Sequence, residues 1–324
     1  MPDGITLRPE VFSRMARGAN MFAEGKHRWR SLLAFCLLSC MAGTAAHAAN
    51  SAREKLAHLT DQEFRQLQNL AGHGDAGASA ALGVAYEEGI HVEKDMTEAL
   101  RWYRQAAGGG NLEVQHHLAL LYETGNGVAQ DLAEAARWYQ KAAEAGYAPS
   151  QCNLANLYRD GRGVPRDLEQ AAKWYEVAAR QGDAQAQSNI GYMYNHGEGV
   201  LQDDQQAIFW YRKAAEQGFA VAQRNLGVMY VLGEGVQKDE QEALRWFIKA
   251  AAQGLRPALV NEAVLYMQGT QISHDYVTAQ QLLMRAVAAG EENARPLLEI
   301  CRKHAEPGQT ALDVAAKAAH SSGK

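Results

Sequence analysis

The sequence predicts an all-α chain, an α-solenoid of antiparallel helix pairs. Three observations carry this. Glycines stand at Gly74, Gly110, Gly146, Gly182, Gly218, Gly254 and Gly290, 36 residues apart each time with no insertion; a fixed period of this size marks a repeat array. Each period holds two stretches whose apolar residues fall at helical spacing. Large rings recur at fixed places in each period, and two short helices cannot bury them alone. Stacked units can, by sharing one long core.

The unit from Gly182 to Gln217 shows the elements in order. Helix A covers Ala186 to His196, with Ala186, Ile190, Gly191 and Tyr194 at helical spacing. Gly197 follows and recurs as Gly89, Gly125, Gly161, Gly233 and Gly269, the expected left-handed stop after a helix. Next comes an aspartate present in every unit: Asp95, Asp131, Asp167, Asp203, Asp239 and Asp275. Three residues on stand Glu98, Glu134, Gln170, Gln206 and Glu242, with Thr278 as the exception. This variant of the capping box satisfies free backbone N–H groups, so helix B is expected to start at the aspartate. Helix B covers Gln205 to Gln217 and carries Ala207, Trp210, Tyr211, Ala214 and Ala215.

The columns are regular. Tyr86, Tyr122, Tyr158, Tyr194, Tyr230 and Tyr266 close helix A, and Trp102, Trp138, Trp174, Trp210 and Trp246 sit in helix B, each followed by Tyr or Phe. Small residues recur at Gly83, Ala119, Ala155, Gly191, Gly227 and Ala263, where helices must approach closely. The pattern A-x-x-x-L-G-x-x-Y-x-x-G-x-G-V-x-x-D-x-x-x-A-x-x-W-Y-x-x-A-A-x-x-G resembles the Sel-one-like repeat, a relative of the tetratricopeptide repeat, over Gly74 to Ala289. The first unit departs at His91, where the second glycine belongs; the sixth departs at Glu262, Gln271, Leu282 and Leu283. End units are expected to differ, because their outer face meets a different environment. The expected fold is a right-handed α-solenoid: six 36-residue repeats over 74–289, an N-terminal capping helix within 49–73, and a partial seventh repeat or capping helix over 290–306.

The flanks read differently. Residues 1–48 form a signal peptide: Lys26, Arg28 and Arg30 precede an apolar run from Leu32 to Ala46, and Ala46-His47-Ala48 fits a cleavage site before Ala49. Counted from Met21 rather than Met1, the leader has an ordinary length, so translation is expected to start at Met21. The run is too short for a permanent span, and Leu37-Leu38-Ser39-Cys40 only faintly resembles a lipid-attachment site. The chain is therefore expected in a bacterial periplasm, ahead of a lipid-anchored or secreted form. Thr60-Asp61-Gln62-Glu63 is a capping-box signal, and Phe64, Leu67 and Leu70 give the lead-in helix an apolar face in helix-B register. Ala294, Leu297, Leu298, Ile300 and Cys301 form the face of a seventh helix A, Pro307-Gly308 ends it, and 307–324 reads as a flexible tail.

Composition and chemistry exclude several classes. A net charge of -5 and a pI near 6.1 argue against a nucleic-acid partner. Cys152 and Cys301 lie four units apart, too far for a bridge. The Gly-x-Gly pairs follow no strand and precede no Gly-Lys-Ser/Thr, so they are not phosphate loops. The six aspartates are caps rather than a metal ladder. His116 and His117 are adjacent and diverge on a helix, so they cannot chelate together. No catalytic constellation, cofactor or metal site is expected.

Function is expected in the columns that vary. In tetratricopeptide-like arrays helix A lines the concave face, and its free positions form a stripe. The first column is Ala80, His116, Cys152, Ser188, Arg224, Val260; the second is Val84, Leu120, Asn156, Tyr192, Val228, Val264; the third is Glu87, Glu123, Arg159, Asn195, Val231, Met267. His116, Glu123, Cys152, Asn156, Arg159, Ser188, Tyr192, Asn195 and Arg224 are the candidate partner-binding residues. Asn153, Asn189, Asn225 and Asn261 are expected to hold a backbone contact between units. Across units the three columns form a groove that suits a protein partner, an extended peptide or a helix, and the chain is expected to be a monomer. The resemblance implies a non-enzymatic adaptor role in assembling envelope or signalling complexes. The alternatives are a structural subunit of an envelope export or assembly complex, and a β-lactam-binding or β-lactam-hydrolysing repeat protein, whose paired-cysteine pattern this chain lacks.

Overall fold

The computed structural model describes residues 53–304. The leader, its cleavage site, Cys40, the choice between Met1 and Met21, and the tail lie outside the described residues. Among the described residues the fold is all-helical, with no strand. After one helical turn over 53–57, fourteen α-helices follow: α1 (Asp61–Gly72), α2 (Ala76–Glu88), α3 (Met96–Gly108), α4 (Leu112–Thr124), α5 (Leu132–Glu144), α6 (Ala148–Asp160), α7 (Leu168–Arg180), α8 (Ala184–His196), α9 (Asp204–Glu216), α10 (Ala220–Leu232), α11 (Glu240–Ala252), α12 (Arg256–Gln268), α13 (Tyr276–Ala288) and α14 (Arg295–His304). A single 3₁₀ turn, Glu292–Ala294, leads into α14. Each helix packs against its sequence neighbour within two compact units, 53–203 and 204–304. This is the α-solenoid class that the period predicts.

The starts are set as the aspartate column requires. The side chain of Asp95 accepts from the N–H groups of Thr97 and Glu98, Asp131 from those of Ala133 and Glu134, and Asp275 from those of Val277 and Thr278. Asp167 and Asp239 cap α7 and α11 through Gln170 and Glu242. The same aspartates close the turn through their own backbone. The N–H of Asp95, Asp131, Asp167, Asp203, Asp239 and Asp275 donates to the carbonyl of the tyrosine ending helix A, at 2.9–3.0 Å in all six units. A reciprocal capping box forms at α1, between Thr60 and Glu63. In α3, α5 and α11 the third-position glutamate instead holds an arginine three residues on: Arg101, Arg137 and Arg245.

The two glycines between helices have different work. The first is the left-handed stop, as at Gly161 with φ of 66°. The second is pressed against the preceding unit. A Cβ on Gly163 would lie 2.1 Å from the carbonyl oxygen of Leu132, the first residue of α5. At the two departures the packing is rebuilt. His91 takes a positive φ of 59° and sends Nε2 to the Leu56 carbonyl at 2.9 Å, stacked on Phe64 at 4.9 Å. Gln271 accepts from the N–H of Glu240 at 2.9 Å and returns its own N–H to the Glu240 carboxylate at 2.7 Å.

The core follows the ring columns. Tyr103, Tyr139, Tyr175 and Phe247 are fully buried and Tyr211 is 2% exposed. Trp102 and Trp210 are buried; Trp138, Trp174 and Trp246 are half-buried, and lysines cover Trp138 and Trp246 at about 4 Å. In the sixth unit Leu282 and Leu283 take the ring positions and pack with Leu297, Leu298 and Cys301 of α14. Cys152 and Cys301 are both buried thiols, and burial pushes the Cys301 thiol up to about 11.

Candidate functional site

The small-residue column decides how deep each ring sits. A Cβ on Gly83 would lie 2.3 Å from the Tyr103 ring, and one on Gly227 would lie 2.6 Å from Phe247. The tyrosine of helix B therefore passes under helix A of its own unit, and its hydroxyl reaches the third column of the stripe. Tyr103 donates to the Glu87 carboxylate at 2.5 Å, and Tyr139 donates to that of Glu123 at 2.8 Å. In the third unit the partner changes: Tyr175 donates to Asn156 Oδ1 at 2.5 Å and accepts from Arg159 Nη1 at 3.0 Å.

The two ring types divide the columns. In register the third column continues as Asn195, Val231 and Met267 while the ring column continues as Tyr211, Phe247 and Leu283. Where the hydroxyl is lost, the residue above it is apolar: Val231 packs against the Phe247 cluster, and Met267 shares a cluster with Leu283. An unpaired buried hydroxyl or carboxylate is costly, so the two columns change together. This coupling is legible only when the ring column is compared with the third column, unit by unit.

Each polar member is held on more than one side. His117 Nε2 lies 3.1 Å from Glu87 and its ring meets Tyr103 edge-on at 4.9 Å. Burial pushes the Glu87 carboxyl up, but the bonds from His117 and Tyr103 and the charge of Arg53 outweigh it and hold the group below its usual value. Burial and then the neighbouring carboxylates drive the Tyr103 and Tyr139 phenols well above theirs. Glu123 also receives Arg162 at 2.9 Å, and Arg159 grips Asp160 through Nε at 2.7 Å and Nη2 at 3.0 Å. Such networks fix side-chain direction before any partner arrives.

The candidate residues separate into an interior and a surface set. His116, Cys152, Ser188 and Arg224 are 7%, 3%, 0% and 4% exposed. This corrects their assignment to a free stripe: the four side chains are buried, and His116, Cys152 and Arg224 each meet a residue of the following repeat. His116 Nδ1 meets Ser150 Oγ at 2.9 Å, the Cys152 thiol bonds the Asp183 carboxylate, and Arg224 Nε donates to Asn261 Oδ1 at 3.3 Å. Burial, then the charge of His117, lowers the His116 pKa to about 3, and burial lowers that of Arg224. Glu123, Asn156, Arg159, Tyr192 and Asn195 are half-buried and keep one edge at the surface. All five lie in the unit 53–203; Arg224 lies in the other. Tyr192 is backed by His196, stacked at 4.0 Å.

Two features depart from the sequence reading or escape it. Asn153 donates to the Tyr139 hydroxyl at 3.1 Å, a side-chain bond rather than the backbone contact expected. A glutamine column ties successive units: Gln115, Gln151, Gln187 and Gln223 each donate from Nε2 to the carbonyl eight residues back, at 2.9–3.1 Å. Their 36-residue spacing was the available signal, since a buried amide repeated in register must have a repeated partner.

Among the described residues no group of three or more His, Cys, Asp or Glu side chains is placed to hold a metal ion, and no helix is long and apolar enough to cross a membrane. Six stretches, 76–111, 112–147, 148–183, 184–219, 220–255 and 258–291, match the Sel1 repeat. The chain belongs to the Sel1 repeat family. Sel1 repeats typically mediate protein–protein interaction, and the family is generally non-catalytic. Two solved structures are similar to this Sel1 repeat protein. One is c5321, a protective antigen of uropathogenic Escherichia coli with an SLR fold, 35% identical over 77% of this chain with a TM-score of 0.70. This chain spans about half of that one, 54% of its length. The other is a Sel1 repeat protein of Oxalobacter formigenes, 30% identical over 74% of this chain and 93% of its own, with a TM-score of 0.61. Comparison with curated proteins gave no match.

Proposed function

We propose that this protein is a non-catalytic adaptor of the bacterial cell envelope that binds a partner protein, as an extended peptide or a helix, along the surface of its A helices. One observation carries the reading. Glu123, Asn156, Arg159, Tyr192 and Asn195 leave one edge at the surface, and the first three are bonded to the tyrosine hydroxyls beneath. Polar groups fixed in advance lose little freedom when a partner binds, which suits a set of small contacts spread along a strip. The leader sequence supports export, and the Sel1 repeat family supports an interaction role. The partner contacts fall in the second and third columns, not in the buried first column.

A photo-crosslinking amino acid tests this. Placed at Tyr192 in the exported protein, it is expected to capture a discrete partner. Placed at Val177, which is 43% exposed on α7, it is expected to capture none. Equal capture from both positions would show that the A-helix strip is the wrong surface.

A further inference from the structure

One core column of the array is broken once. Leu82, Leu118, Leu154, Ile190 and Leu226 recur on the A helices and are 0–1% exposed. In the sixth unit the same place holds Glu262 of α12, which is still only 8% exposed. Its carboxylate makes no hydrogen bond or ion pair among the described residues. Burial pushes the Glu262 carboxyl up, and the charge of Arg285 offsets only part of this. A buried carboxylate without a partner costs stability, and breaks of this kind in a regular pattern collect at functional sites.

The surroundings change with it. In the second unit Leu118 packs with Leu100 of α3, Tyr122 of its own helix and Trp138 of α5. Lys141 covers that tryptophan at 4.2 Å, and Arg104 donates to the Tyr122 hydroxyl. Four periods on, the corresponding residues are Leu244, Tyr266, Leu282, Arg285 and Ile248. A leucine thus stands where the large ring covered the column, and an isoleucine, 44% exposed, stands where the arginine held the tyrosine. The Arg285 side chain is exposed and makes no ion pair among the described residues. Burial, and then the Glu262 charge, raises the Tyr266 phenol, so the carboxylate lies on the tyrosine side of α12. The place of this unit at the end of the array does not explain the change. The leucine column faces the preceding helix B, and the Leu118 cluster contains nothing from the unit beyond.

We propose that Glu262 receives the basic side chain of a partner protein between α11 and α13. Charge and shape select this occupant: the floor is an unpaired carboxylate, and Leu244, Ile248 and Leu282 give it aliphatic walls. Lysine and arginine carry an apolar stem below a cation, which matches that order, and the cation supplies the charge-assisted hydrogen bond that Glu262 lacks. This surface is separate from the A-helix strip and does not rest on it.

Methyl NMR of the full chain tests it, with N-acetyl-arginine amide as the probe and N-acetyl-citrulline amide as its neutral counterpart. The arginine probe is expected to shift the Ile248 and Leu282 methyls saturably, and the citrulline probe to bind about tenfold more weakly or worse, the equivalent of one hydrogen bond to a charged group. Glu262→Gln should erase that difference. Equal binding of both probes, or no binding of either, would overturn the proposal. Arg285→Ser should bind the arginine probe at least as tightly as the parent; binding only in that variant would show that Arg285 occupies Glu262 and would overturn it too. Tighter binding of putrescine than of the arginine probe would assign the site to a free polyamine instead. Glu262→Leu, which restores the column, should raise the urea midpoint while losing the arginine response; a lowered midpoint would make the carboxylate a structural group and refute the reading.

Discussion

Changing Tyr139 to phenylalanine removes one oxygen from the interior of the second unit and leaves the ring in place. The residue is fully buried, and its hydroxyl donates to Glu123 at 2.8 Å and accepts from Asn153 at 3.1 Å. A hydrogen bond to a charged group contributes about 1.5–3 kcal/mol. Glu123 keeps Arg162 at 2.9 Å and is still 19% exposed, which places the cost near the lower half of that range, about 2 kcal/mol. The fifth unit already pairs a phenylalanine with a valine, Phe247 with Val231, so adding Glu123→Val should remove the unpaired carboxylate. A double-mutant cycle is expected to show that the two losses are not additive, with a coupling of about 1–2 kcal/mol. Urea unfolding followed by tryptophan fluorescence measures it. A single-variant loss below about 0.5 kcal/mol, or a coupling of zero, would refute the claim that the hydroxyl positions the third column.

Two further predictions concern the glycines and a histidine. Gly163→Ala meets the Leu132 carbonyl and must also hold a φ of +72°, while Gly146→Ala has a φ of +94° with open space around it. Left-handed strain alone costs about 1–2 kcal/mol, so the first variant should lose clearly more than the second in chemical denaturation; equal losses would remove the close approach. His116 has its pKa lowered from 6.5 to about 3 by burial and by His117, so the unfolded chain binds the extra proton first. Its contribution is intact above about pH 6.5 and is lost progressively as pH falls toward 3. Between pH 6.5 and 5 this amounts to about 2 kcal/mol. His116→Asn should flatten that acid limb, and an unchanged slope of stability against pH would show that the group titrates normally.

The sequence determined the period, the helix pairs, the caps and the ring columns, because each is dictated by local chemistry repeated in five or six units. Asp131 must cap α5 wherever the helix points, and Gly161 must end α6 because few other residues adopt its φ. The strip for a partner was legible only in part. Spacing along one helix places His116, Cys152 and Ser188 on the same stripe as Asn156 and Tyr192. It cannot say which edge of that stripe the next A helix covers. The stacking decided that: within each compact unit adjacent A helices lie close enough to bury His116 and Arg224, as the His116–Ser150 and Arg224–Asn261 contacts show. The tertiary structure also supplied the link between Tyr139 and Glu123, which are 16 residues apart on different helices. A hydroxyl becomes a constraint on its neighbour only when packing has removed the water that would otherwise satisfy both.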